Sequence, residues 1–178
     1  MTCVVVNDAS CLIDLRKGQL LHVLSRLPYR FIVPLPIRES ELLDFTPQEW
    51  AILDGGGMET YDLPPERMAD VFALKRQHGR LTANDCFCLV TTQCHEGGIL
   101  LTGDSLLRKV AAELGTKVHG VLWVIKEFIA ADACDVALLI RALKIWKDDA
   151  TVFLPKSEIE QQLRVLLNRP GNPADQLV

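Results

Sequence analysis

The sequence predicts an α/β protein: a three-layer α/β/α arrangement around a short parallel sheet of about five strands, with extra C-terminal helices. Three observations predict it. The runs Cys3-Val4-Val5-Val6 and Ile99-Leu100-Leu101 lack polar alternation, so they read as strands buried on both faces. Apolar helical stretches fill the connections between strand candidates, as parallel crossovers require. Both runs also stop abruptly before a carboxylate, Asp8 and Asp104, at the carboxyl end of a strand, where open α/β sheets bind ligands.

Taken in order, Ser10 to Leu27 carries an apolar helical face, which Gly18 breaks into two short helices. Tyr29–Val33 is the second strand. Pro34 and Pro36 then open a helix carrying Ile37 to Leu43, because proline is tolerated in a first turn. Thr46-Pro47-Gln48-Glu49 is a capping box that starts a helix through about Leu53, and Gly55-Gly56-Gly57 ends it. Thr60–Leu63 is a short third strand. Pro64-Pro65-Glu66 opens a helix with Met68, Val71, Phe72 and Leu74 on its apolar side. Leu81-Thr82-Ala83-Asn84-Asp85 begins the next, which runs to about His95. A helix after Asp104 is closed by Gly115, and Lys117–His119 is the fifth strand. Val121–Ala133 and Asp135–Trp146 read as further helices. The capping box Ser157-Glu158-Ile159-Glu160 starts a last helix through about Leu167. The expected organisation is a domain over residues 1–125, a helical extension over 126–168 packed on it, and a tail over 169–178.

Bulk properties narrow the function. A chain of 178 residues buries a core without disulfides or a structural metal. Its six cysteines fall in apolar segments and are expected to be reduced. Cys86, Cys88, Cys94 and His95 form the one cluster suggestive of a soft metal. Cys86 and Cys88 lie about 200° apart on a helix, however, and cannot share a ligand face. No apolar run approaches the roughly 18 residues of a membrane span and no basic leader precedes the first strand, so a cytoplasmic protein without a membrane partner is expected. The net charge of −4 argues against holding nucleic acid by broad electrostatics, although carboxylates carrying divalent cations can act on phosphates.

Four acids stand apart from the rest. Asp8 and Asp104 follow buried strands, and Glu41 and Asp85 sit on helices beside them. Carboxylates crowded in a low-dielectric crevice repel one another unless a cation or shared proton compensates. Oxygen ligands at that density suit Mg²⁺ or Mn²⁺, which activate water and stabilise an in-line phosphoryl transition state without a protein nucleophile. Each acid also has a purely local use: Asp85 as the third residue of a Thr82 capping box, Asp104 as a helix N-cap, Asp8 as a turn residue and Glu41 as a solvated helix position.

These residues in this order resemble the PIN-domain ribonucleases, and among them the VapC-like toxins. The resemblance spans roughly residues 3 to 125 and is carried by Val6-Asn7-Asp8-Ala9-Ser10, by Val33-Pro34 followed by a helical Glu-Leu, by Leu81 to Asp85, and by Leu101-Thr102-Gly103-Asp104 with Leu107 and Ala111 after it. It implies strand order 3-2-1-4-5, a Mg²⁺ or Mn²⁺ site formed by Asp8, Glu41, Asp85 and Asp104, and Ser10 and Thr102 as supporting hydroxyls. It further implies hydrolysis of RNA and a separate antitoxin partner. The family places its second acid three residues after an apolar helical position, which here is Ser40. Glu41, four residues after Ile37 and before Leu42, lies on the same face and is the choice; Glu39, the alternative, faces away. Arg38, Arg80 and Arg108 are candidate RNA contacts, and the apolar C-terminal helices are candidates for a homodimer face. Two other readings compete: a catalytically silent binding or regulatory module of the same fold, and a haloacid-dehalogenase-like phosphatase or phosphoacceptor. The phosphatase wants a second aspartate at the position of Ser10.

Overall fold

The computed structural model describes residues 2–169; the expected tail beyond Arg169 lies outside the described residues. Five strands form one sheet in the order β3-β2-β1-β4-β5, every pairing parallel. They are β1 (Val4–Asn7), β2 (Arg30–Pro34), β3 (Glu59–Tyr61), β4 (Ile99–Leu101) and β5 (Lys117–His119). β1 lies at the centre and all four of its residues are buried, as expected of a strand covered on both faces. Asn7 Nδ2 ties the end of β1 to its neighbour by donating to the Ile32 carbonyl at 3.0 Å.

Helices fill the crossovers. α1 (Ala9–Lys17) and a 3₁₀ helix (Leu21–Arg26) follow β1, and Gly18 separates the two, as its position in the apolar pattern predicts. α2 (Leu35–Ser40) and α3 (Pro47–Gly55) join β2 to β3, and the Thr46–Glu49 capping box of α3 is fully formed. α4 (Met68–Gln77) and α5 (Ala83–Gln93) lead back to β4, and α5 covers the central strands on one face. α6 (Ser105–Glu113) joins β4 to β5. The right-handed rule for parallel crossovers places α1 on the face opposite α5. There α7 (Val121–Ala131) and α8 (Val136–Asp148) pack against α1, and α9 (Lys156–Leu167) packs on α8. Trp146 of α8 is 1% exposed, lies where a Cβ at Gly18 would stand 2.9 Å from its ring, and donates its Nε1–H to the Asp14 carbonyl at 2.8 Å. The end of α1 thus receives the C-terminal helices through a residue that only glycine accommodates.

The structure corrects four local expectations. α2 stops at Ser40, so Glu41 is its C-cap rather than a helical residue, and Leu43 is exposed. Two prolines start this helix but its single buried side chain, Ile37, cannot extend it; the chain turns so that Leu42 enters the core instead. Phe72 is 62% exposed, because the buried side of α4 is set by Val71 and Leu74. The Ser157 capping box does not form: Pro155 starts α9 earlier and leaves Ser157 inside the helix. β3 begins one residue before its expected start, at Glu59, and ends at Tyr61, two residues short of the expected Leu63. All six cysteines are free, with Cys11, Cys86 and Cys88 buried.

Candidate functional site

Parallel pairing puts the carboxyl ends of β1 and β4 side by side. Asn7 is in register with Leu101, and the Asp8 N–H donates to the Leu101 carbonyl at 3.0 Å. The next residues on the two strands therefore meet. Asp8 Oδ2 accepts a hydrogen bond from the Thr102 hydroxyl at 2.7 Å and another from the Ser10 hydroxyl at 2.7 Å. The same hydroxyl oxygens accept backbone N–H groups, Ser10 Oγ from Gly103 at 2.9 Å and Thr102 Oγ1 from Asp104 at 3.1 Å. Two hydroxyls thus stitch the β4–α6 loop to the carboxylate of Asp8.

Asp8 occupies the N-cap position of α1 but makes no side-chain cap bond, so its carboxylate is not used to terminate that helix. It is 5% exposed, and burial pushes its pKa above the ordinary carboxylate range, against the pull of the Ser10 and Thr102 hydroxyls; the charge of Asp85 adds to the rise. Among the described residues no cation pairs with Asp8, Glu41, Asp85 or Asp104. Glu41 is raised too, first by partial burial and then by Asp8 and Asp85, while a hydrogen bond from Asn84 opposes the shift. Cys88, buried on α5, has its thiol pushed far up by burial and then by Asp8, Glu41 and Asp85 together. These three carboxylates, from three elements distant in sequence, therefore share one electrostatic neighbourhood.

The acids also have local uses in the fold. Asp85 Oδ2 accepts the Thr82 N–H at 2.6 Å in a complete capping box, and Asp104 Oδ1 accepts the Leu107 N–H at 2.7 Å as the N-cap of α6. Glu41 Oε1 accepts from Asn84 Nδ2 at 2.5 Å, and the same amide reaches Ser40 Oγ at 3.0 Å. Glu39 is exposed and makes none of these contacts. Asn84 is the residue that sequence reasoning missed. Its one signal is its place in the first turn of α5 beside Asp85, and its partner 43 positions away is set by tertiary packing alone.

The donor set is entirely oxygen and suits a hard divalent ion. The cage is not closed: among the described residues, no three His, Cys, Asp or Glu side chains come together as a ready-made metal site. Asp8 is the acid whose position is set; Glu41, Asp85 and Asp104 each direct an oxygen at a protein donor and would share or release it to bind.

The three candidate arginines differ sharply. Arg38 grips Asp54 through both Nη atoms at 2.8 Å, donates to Thr60 Oγ1 at 2.6 Å and lies 4.0 Å over the Trp50 ring, so its guanidinium is committed within α2, α3 and β3. Arg80 is exposed and lines a cleft of about 250 Å³ with His78, Leu81 and Leu106, close in sequence to Asp85 and Asp104. Arg108 is half-buried and donates to the Thr102 carbonyl at 3.2 Å.

Fold and site together define an α/β/α domain in which Asp8, Glu41 and Asp85 share one electrostatic neighbourhood at the carboxyl ends of the central strands. A family model described as a PIN domain matches residues 4–166, and the chain belongs to that family, whose members are generally metal-dependent nucleases. The match runs through α7, α8 and most of α9. Among curated proteins none matches the chain. No helix among the described residues is long and apolar enough to cross a membrane.

Proposed function

We propose that this chain is an endoribonuclease that hydrolyses RNA phosphodiester bonds with Mg²⁺ or Mn²⁺ held by Asp8, Glu41, Asp85 and Asp104. The observation that carries the reading is Asp8: a buried carboxylate, fixed by two hydroxyls, in the field of two further acids and with no cation opposite it among the described residues. A divalent ion at such a site supplies activation of water and neutralises charge gathering on the phosphoryl group. The chain's own part is positional. Ser10 and Thr102 fix Oδ2 of Asp8, and among the described residues no side chain donates to its Oδ1. Asn84 holds Glu41 toward the crevice, and Asp85 and Asp104 are placed by the first turns of α5 and α6. Residues 126–168 act in this reading as a helical extension of the 1–125 unit. The protein works in the cytoplasm as a homodimeric toxin restrained by a separate antitoxin.

The test is cleavage of mixed single-stranded RNA with Mn²⁺, with and without EDTA, by wild type and by Asp8→Asn and Asp104→Asn. Cleavage that EDTA stops and both substitutions abolish, with the fold intact by circular dichroism, is the expected result. Equal cleavage by all three proteins removes the proposal. One observation favours a second reading, the silent binding module: Glu41, Asp85 and Asp104 already satisfy protein donors, and among the described residues no three ligands stand ready. Calorimetric titration separates the two, because a site taking no Mn²⁺ at millimolar concentration does not support hydrolysis.

A further inference from the structure

Resting on the nuclease reading, we propose that Arg108 grips a phosphate of the RNA strand beside the carboxylates and that Gly120 is the seat that aims it. Arg108 lies one turn into α6 from Asp104, its Nη1 on the Thr102 carbonyl at 3.2 Å, and the Thr102 hydroxyl in turn holds Asp8 at 2.7 Å. The guanidinium is thereby held on the backbone of the same residue whose hydroxyl anchors the buried acid. A Cβ at Gly120 would stand 2.8 Å from Nη1. Gly120 has φ −105°, a conformation open to any residue, so the glycine supplies space for the guanidinium and not backbone freedom.

The charge state of this arginine is what separates it from an ordinary brace. A neutral amide would hold the Thr102 carbonyl equally well, whereas a guanidinium carries five N–H donors in a planar fork suited to phosphate oxygens. Arg108 makes one side-chain hydrogen bond and pairs with no carboxylate among the described residues, while Arg38 has its fork closed on Asp54. On a chain of net charge −4, a polyanion has to be held by individually placed cations rather than by the overall field. An arginine seated at the strand ends with donors to spare meets that need.

The test is fluorescence anisotropy of a labelled single-stranded RNA oligonucleotide bound to full-length protein across a salt series, in EDTA and in the Asp8→Asn background, so that binding is read without cleavage. Arg108→Gln is expected to weaken binding about tenfold and to make the slope of log K against log salt shallower by about 0.7, the loss of one single-strand phosphate contact. Gly120→Ala keeps the charge but displaces the end of a flexible side chain, and is expected to weaken binding with a melting temperature within about 2 °C of the parent. Unchanged affinity and slope in both variants, or a loss confined to thermal stability, overturns the assignment. A protein that binds with the expected Arg108-dependent slope yet cuts no RNA in Mn²⁺ overturns the catalytic reading alone.

Discussion

The Thr102 hydroxyl donates to Asp8 Oδ2 at 2.7 Å across the boundary between β1 and β4 while accepting the Asp104 N–H at 3.1 Å. One fully buried side chain thus couples the acid of the first strand to the loop that carries the acid after the fourth. Thr102→Val keeps the shape of the side chain and removes both bonds. The variant is expected to lose about 1–3 kcal/mol of stability in denaturant unfolding, the cost of leaving buried polar groups unpaired. The Thr102 hydrogen bond lowers the pKa of Asp8, so the acidic limb of the pH–rate profile for Mn²⁺-dependent cleavage should move to higher pH.

Asp8 itself works against the fold once ionised. Its pKa in the native protein is raised by burial above the ordinary 3.8, so its contribution to stability is full below that value and is lost as pH rises through the native one. In EDTA at pH 7 and above, Asp8→Asn is therefore expected to melt higher than wild type. A divalent ion reverses the order: at a free Mn²⁺ concentration 100 times the dissociation constant, wild type should gain about 2.7 kcal/mol and the variant almost nothing. Differential scanning calorimetry with and without Mn²⁺ checks both halves. A variant that melts lower in EDTA contradicts the burial argument.

Asn84→Ala tests whether Glu41 is held in place or merely nearby. The amide donates to Glu41 Oε1 and to Ser40 Oγ, fixing the C-cap of α2 against the first turn of α5. Removing it frees a side chain that Asp8 and Asp85 repel. Mn²⁺ affinity by calorimetry should fall about tenfold, the lower end of what loss of a supporting partner costs at a metal site. Because Asn84 is only half-buried, the unfolding midpoint should move little.

Local signals account for most of what the sequence made legible. The buried runs at Val4–Val6 and Ile99–Leu101, the Thr46 and Thr82 capping boxes and the break at Gly18 all depend on neighbours within a turn or a strand. The sheet order and the set of acids came through resemblance of residue order, and the sheet order is the one found. Contacts between distant segments were not legible. Nothing near Gly120 in sequence announces the arginine that fills its space, and nothing near Gly18 announces Trp146. The same blindness explains the errors. Ser157 has the right spacing for a cap but Pro155 starts the helix first, and Phe72 fits an apolar stripe that packing does not use.

The junction between α1 and the C-terminal helices carries a titratable group of its own. Asp14 is pushed up to about 6 by burial, with Lys17 pulling down and Asp149 adding to the rise, and its carbonyl receives the Trp146 indole at 2.8 Å. Lys17 is shared with Asp149 at 3.7 Å and with the Thr151 hydroxyl at 2.6 Å, which leaves Asp14 without a full counterion. Between pH 3.8 and about 6 the unfolded chain has lost this proton while the native protein keeps it, so stability declines across that window and is flat above it. Asp14→Asn removes the charge but not the carbonyl that Trp146 uses. It should therefore match wild type near pH 4 and exceed it above pH 6, by about 1–2 kcal/mol after allowance for solvent screening of a partly exposed group. Urea unfolding at the two pH values reads the difference. Equal gains at both would mean that the carboxylate is penalised for its shape and not its charge, and an unchanged pair would place Asp14 in ordinary solvent.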